Sequence, residues 1–165
     1  MIRALRSLHA ATTQFYREFG FDPWDNYRFR EESVCHILSE NGWDAQRSPG
    51  RHGSDFVTPQ YRHGEIKTRL ASPSPTFQWS RLRNPSARQT LQETDCMVFA
   101  VFSRLEFRPQ SVWVITDAGA LHDLKALVLS RVPPEDAPRD TVSLTLREVL
   151  AFPNVKLDTA ETHHM

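Results

Sequence analysis

Residues 47–70 read RSPGRHGSDFVTPQYRHGEIKTRL, and two short runs inside them, SDFVT (54–58) and GEIKT (64–68), decide how the chain is built. Each is β-branched or aromatic at its centre, and the intervening PQYRHG carries a proline and a glycine, so the pair is expected to be two neighbouring strands joined by a turn. Side chains alternate across a strand, which puts Glu65 and Lys67 on one face and sends Ile66 into the core. Asp55 stands at the head of the first strand, where Gly50 and Gly53 let the backbone turn sharply. Two carboxylates and an ammonium are therefore expected around one small volume. Close carboxylates repel unless a cation lies between them, and an all-oxygen donor set completed by water suits Mg²⁺. The neighbouring lysine can position or deprotonate water, or stabilise charge building on a phosphate, which is a plan for phosphodiester hydrolysis. The structural alternative is a surface Glu–Lys pair on a hairpin.

Upstream, Leu5, Leu8, Ala11, Phe15 and Phe19 recur at three- and four-residue steps, predicting a helix over residues 4–19 closed by Gly20. REESVCHILSENGW (30–43) reads as a second helix, with Val34, Ile37 and Leu38 on one face and Asn41-Gly42 as its stop. Its Glu31-Glu32 pair is expected in the first turn, where acids complement the helix dipole. Downstream, DCMVFAVFSR and QSVWVITD are two further strands, Asp117 caps a helix over residues 118–131, and TVSLTL is a strand followed by a short helical turn in LREVLAF. ASPSPTFQWSRLRNPSARQ (71–89) holds three prolines and no clean period, so it reads as a long irregular segment. This order of elements implies an α/β (α+β) fold, a single domain over residues 1–157 with one central mixed β-sheet flanked by helices. Residues 158–165 are expected to be a disordered tail, and His163 and His164 belong to it.

Composition narrows the function classes. No run approaches the roughly twenty apolar residues that span a bilayer, and the N-terminus lacks an apolar signal block, so a soluble, intracellular protein is expected. The two cysteines, Cys35 and Cys96, lie far apart and read as small buried apolar residues. Net charge is zero, but its distribution is uneven. Arg47 to Arg88 holds eight cations and two acids, hence +6, against twelve cations and eighteen acids elsewhere, hence −6. A cationic face on an acidic body fits a protein that binds a polyanion on one side.

Asp55, a ten-residue gap, then Glu65-Ile66-Lys67 resembles the PD-(D/E)xK nuclease superfamily, and the preceding PGRHGSD is similar to its small type II restriction endonucleases. The similarity runs from about Ser48 to Leu124, with Phe77, Asn84-Pro85, VFAVFSR and VWVI at matching positions. The resemblance implies a restriction-endonuclease-like fold with a catalytic core over residues 46–125. It makes Asp55 and Glu65 ligands of Mg²⁺ and Lys67 the catalytic lysine. It further implies a cytoplasmic prokaryotic enzyme, a homodimer joined through the N-terminal helical region (1–45), that cuts both strands of duplex DNA at a palindromic site.

The departures define the remaining candidates. His52 stands where those endonucleases carry an acid, so it is an accessory candidate, as is Glu32, since other branches of the superfamily place an extra acid on the preceding helix. QWSRLR replaces a histidine cluster that reads bases. Arg81 and Arg83 are expected to contact guanine edges or phosphates, with Gln78 and Asn84 as further DNA-binding candidates. Trp79 reads as a packed aromatic rather than a base wedge. The competing readings are a structure-selective nuclease of the same superfamily, such as a Holliday-junction resolvase or repair nuclease, and a catalytically silent DNA-binding module.

Overall fold

The computed structural model describes residues 2–19, 26–48, 53–103 and 108–159. Helices α1 (Ile2–Phe19) and α2 (Asn26–Glu40) lead into β1 (Gln46–Arg47), β2 (Phe56–Val57), β3 (Gly64–Leu70) and β4 (Thr76–Ser80). Then come α3 (Pro85–Glu93), β5 (Cys96–Phe102), β6 (Pro109–Ile115), α4 (Ala118–Ser130), β7 (Thr141–Thr145), α5 (Leu146–Val149) and β8 (Val155–Leu157). Six strands form a mixed sheet in the order β1-β2-β3-β5-β6-β8, antiparallel except where β3 runs parallel to β5. The expected mixed α+β architecture is present, with helices against the sheet.

β5 explains why the sheet has two cores. Its sequence CMVFAVF contains no polar side chain and is buried along its whole length, as a strand covered on both faces requires. Cys96, Val98, Ala100 and Phe102 join Val34, Ile37 and Leu38 of α2 in one cluster. Met97, Phe99 and Val101 join Leu121, Leu124 and Val128 of α4 in the other. Ile66 of β3 lies in the α2 cluster, opposite Val98 in the parallel register. Glu65 and Lys67 pair with Met97 and Phe99, so they face the α4 side.

Three sequence expectations change. Residues 71–89 are not irregular: they contain β4 and the start of α3. Pro73 and Pro75 break the pattern only before β4, and Pro85 occupies the first turn of α3 while the Asn84 side chain accepts from Ser86 N at 2.9 Å, a proline-started, asparagine-capped helix. The sheet is not single either, because β4 leaves it and pairs antiparallel with β7 as a two-stranded ribbon. Finally, α2 begins at Asn26, which moves Glu31 and Glu32 out of the first turn and beyond the reach of its dipole. Glu31 is instead paired with Arg47 of β1 at 2.8 Å.

Asp158 exchanges backbone hydrogen bonds with the Asn41 side chain, and residues 160–165 of the expected tail lie outside the described residues. Among the described residues no helix is long and apolar enough to cross a membrane.

Candidate active site

The hairpin of β2 and β3 sets the site. Their only register pair is Phe56 with Gly64, and a Cβ at Gly64 would lie 2.3 Å from the Phe56 ring, so glycine leaves the room in which that ring lies against β3. Asp55 N–H donates to Gly64 O at 2.8 Å. Beyond that point β2 ends while β3 continues, and the Ile66 N–H that a partner strand would have taken is received by the Asp55 carboxylate, Oδ2, at 2.7 Å. A side chain thus replaces the missing strand. This places the Asp55 carboxylate against the backbone between Glu65 and Lys67. On its other flank Gly53, at φ +88°, packs so tightly on Thr90 of α3 that a Cβ would lie 2.8 Å from the Thr90 hydroxyl.

The charges meet here in low exposure. Lys67 Nζ is ion-paired with Glu65 Oε1, and their side chains are only 20% and 13% exposed. The Lys67 ammonium also lies 5.5 Å from the centroid of the Trp79 ring, a cation–π contact. Thr94 Oγ1 approaches the other Glu65 oxygen, Oε2, at 3.3 Å. Burial pushes the Asp55 carboxyl up to about 6, with Glu65 and Glu31 adding to the rise and the Ile66 N–H and Lys67 opposing it. Glu31 therefore belongs to the electrostatics of the site although it comes from α2.

Whether these residues suit Mg²⁺ is a question of donors. Among the described residues no group of three or more His, Cys, Asp or Glu side chains is close enough to hold a metal ion. Two hard carboxylates are present, however, and Asp55 uses one oxygen for Ile66 while its other has no hydrogen-bond partner among the described residues. A carboxyl raised by burial, and further by its acidic neighbours, gains from a cation, and Mg²⁺ commonly takes one or two protein carboxylates and fills its shell with water and phosphate oxygens. The donor set fits.

The other candidates separate. Arg83 is committed to the chain: its guanidinium donates to the carbonyls of Pro133, Glu135, Ala137 and Arg139 at 2.9–3.4 Å, and its N–H to Asp140 Oδ2 at 2.9 Å. Arg81 is exposed and has a left-handed backbone, φ 62°; its N–H donates to Asp140 O at 3.0 Å and its carbonyl accepts from Asn84 N at 2.8 Å, but its guanidinium makes no hydrogen bond or ion pair to a described residue. Asn84 caps α3. Gln78 is exposed on β4 and lines a cavity of about 210 Å³ with Glu31, Lys67, Arg69, Ser80 and Thr141. Trp79 is buried, 2% exposed, and packs edge-on against Phe99, as a core aromatic. Glu32 lines a different cavity, with Phe15, Phe29 and His36. His52 lies outside the described residues.

Sequence reasoning missed the ribbon between β4 and β7. Phe77, Trp79, Val142 and Leu144 fill the core, while the opposite face carries Thr76, Gln78, Ser80, Thr141, Ser143 and Thr145 in register. The alternation of TFQWS and TVSLT was the available signal. No protein-family model matches the chain, and no curated protein matches it at a significant level.

Proposed function

We propose that the protein is a Mg²⁺-dependent type II restriction endonuclease of the PD-(D/E)xK superfamily, resembling the restriction enzyme PvuII, that hydrolyses both strands of duplex DNA as a homodimer. The observation that carries this reading is the Asp55 carboxylate seated on the Ile66 N–H, which gathers Asp55, Glu65 and Lys67 at one strand edge. Asp55 and Glu65 would hold the metal. Bound there, Mg²⁺ supplies Lewis-acid stabilisation of charge on a phosphoryl oxygen and a more acidic water. Lys67 would present its ammonium to the reacting phosphate or, as the neutral amine, take a proton from the attacking water. Its contact with the Trp79 face keeps it from swinging away.

The β4–β7 ribbon supports a duplex substrate. A two-stranded ribbon fits the major groove, and an uncharged row of amide and hydroxyl groups offers donors and acceptors to base edges. Its outward face is connected to Lys67 through the 210 Å³ cavity. Arg81, strained at the end of β4 and with its guanidinium unengaged among the described residues, is the cation best placed for a base or phosphate, whereas Arg83 acts through the loop it holds. Arg81→Ala then lowers discrimination between the cognate site and a one-base-changed site by about 1–3 kcal/mol. Equal loss at both sites makes Arg81 a phosphate contact.

A second reading, a structure-selective nuclease, is favoured by Glu31, an acid from α2 that lines the same cavity as Lys67 and raises Asp55. One experiment separates the two. Purified protein, beside Lys67→Ala, is incubated with unmethylated phage-length linear DNA and Mg²⁺, and the fragment ends are sequenced. Fragments sharing one terminal sequence, absent with the variant, establish the restriction enzyme. Uncut linear DNA together with a resolved four-way junction transfers the assignment to the second reading.

A further inference from the structure

Glu65 must hold its carboxylate in one orientation to act, yet Lys67 grips only Oε1. The other oxygen, Oε2, meets a single described donor, the Thr94 hydroxyl at 3.3 Å. Thr94 is buried, 3% exposed, at the C-terminal end of α3. Its hydroxyl has one proton and two acceptors in reach, Glu65 Oε2 and the Thr90 carbonyl at 2.9 Å. Thr90 O already receives the Thr94 N–H at 3.1 Å, so it does not depend on the hydroxyl. Glu65 Oε2 does: with the proton turned away, an oxygen lone pair would face a poorly solvated anion.

The ground on which Thr94 stands is fixed from three sides. Lys125 of α4 donates to the carbonyls of Gln92 and Thr94, a cation on the exposed C-terminal carbonyls of α3. The next residue, Asp95, receives the N–H groups of Arg62 and His63 at 2.9 and 3.0 Å, and its own N–H donates to His63 O at 3.1 Å. Residues 92–95 thereby tie the end of α3 to the start of β3, two residues ahead of Glu65. We propose that Thr94 is a positioning residue: its hydroxyl orients the Glu65 carboxylate for divalent-ion binding, and Lys125 and Asp95 hold the turn that carries it. This rests on the assignment of Glu65 as a metal ligand.

The test is calorimetric titration of Mn²⁺ into the DNA-free full chain, for wild type, Thr94→Val, Thr94→Ser and Glu65→Ala, with melting temperatures recorded in EDTA. Wild type is expected to bind Mn²⁺, Glu65→Ala to lose it, and Thr94→Val to bind about 10-fold or more weakly. Thr94→Ser restores binding to within about 3-fold of wild type, since it keeps the hydroxyl. If Thr94→Val is unfolded at the assay temperature, Thr94→Ala takes its place. Wild-type affinity in the hydroxyl-free variant overturns the proposal, as does a Ser variant as weak as the Val variant. Wild-type protein that takes up no Mn²⁺, or takes it up unchanged after Glu65→Ala, overturns the active-site assignment beneath it.

Discussion

At the junction of β4 and β7, Arg83 donates to four carbonyls of the 133–139 loop and Asp140 receives the Arg83 N–H, so these charges complete the backbone's own hydrogen bonding. At the β2–β3 edge Asp55, just ahead of β2, spends one oxygen on the Ile66 N–H, Glu65 is ion-paired with Lys67 and takes the Thr94 hydroxyl, and Lys67 lies over Trp79. Both regions are charged and partly withdrawn from water. In the first the Arg83 guanidinium is committed to backbone carbonyls, although the buried Asp140 Oδ1 is left without a partner among the described residues. The second contains two carboxylates, one of them pushed up to about 6 chiefly by burial, and on the proposed function a cation would complete it. The contrast teaches that a charged residue's role follows from what it leaves unsatisfied, and four substitutions probe it.

The largest expected effect is at Lys67. Lys67→Ala lowers the cleavage rate by about 10²–10⁴-fold while Ca²⁺-supported DNA binding persists, measured by cleavage and by filter binding. Cleavage at the wild-type rate places the chemistry elsewhere.

Arg83 should behave in the reverse manner. Arg83→Met removes several charge-assisted hydrogen bonds and costs about 2–3 kcal/mol, a fall in Tm of about 5–10 °C. Its metal affinity stays that of wild type. An unchanged melting curve would show that the loop holds without its clamp.

Asp55 sharpens the comparison through pH. Its carboxyl rises from 3.8 to about 6 on folding, so the folded state holds the proton more tightly than the unfolded chain. Stability tied to this group is full below the unfolded value and is lost as pH rises through about 6. In EDTA, Asp55→Asn therefore raises Tm at pH 8, by about 3–6 °C, and leaves it nearly unchanged below pH 4. A destabilised variant at pH 8 would mean that the carboxylate, even without a cation, is better than the amide.

The smallest effect is at Arg81, whose left-handed φ of 62° strains any residue with a Cβ. Arg81→Gly relieves about 1 kcal/mol and raises Tm by about 2–4 °C. A lower Tm would show that the side chain contributes packing the exposed position does not suggest.

These differences were only partly readable in the sequence. α2, α4, the β2–β3 hairpin and β5 announce themselves through period and cap residues, Asp117 included, because each is specified by its own neighbours. β1 and β8, two and three residues long, have no period to read; β1 exists only as the partner of the equally short β2, and β8 as the partner of β6. β4 and α3 were hidden by Pro73, Pro75 and Pro85, although Asn84-Pro85 is itself a helix-start signature. Arg81 and Arg83 look alike two positions apart. They are told apart by carbonyls some fifty residues downstream, and no local pattern carries that information. Glu31 and Thr94 reach the site by the same kind of long-range contact, from α2 and from the end of α3.

The Asp55–Ile66 contact has a spectroscopic consequence. Most amides of a central sheet are held by other backbone, and their exchange with deuterium reports how the sheet opens. The Ile66 amide is held by a carboxylate instead, within a strand whose other edge is anchored on β5. Its proton chemical shift and exchange rate should follow the charge and orientation of Asp55 while neighbouring amides stay still. One backbone resonance then serves as a built-in gauge of the site, readable in the resting protein before any substrate is known.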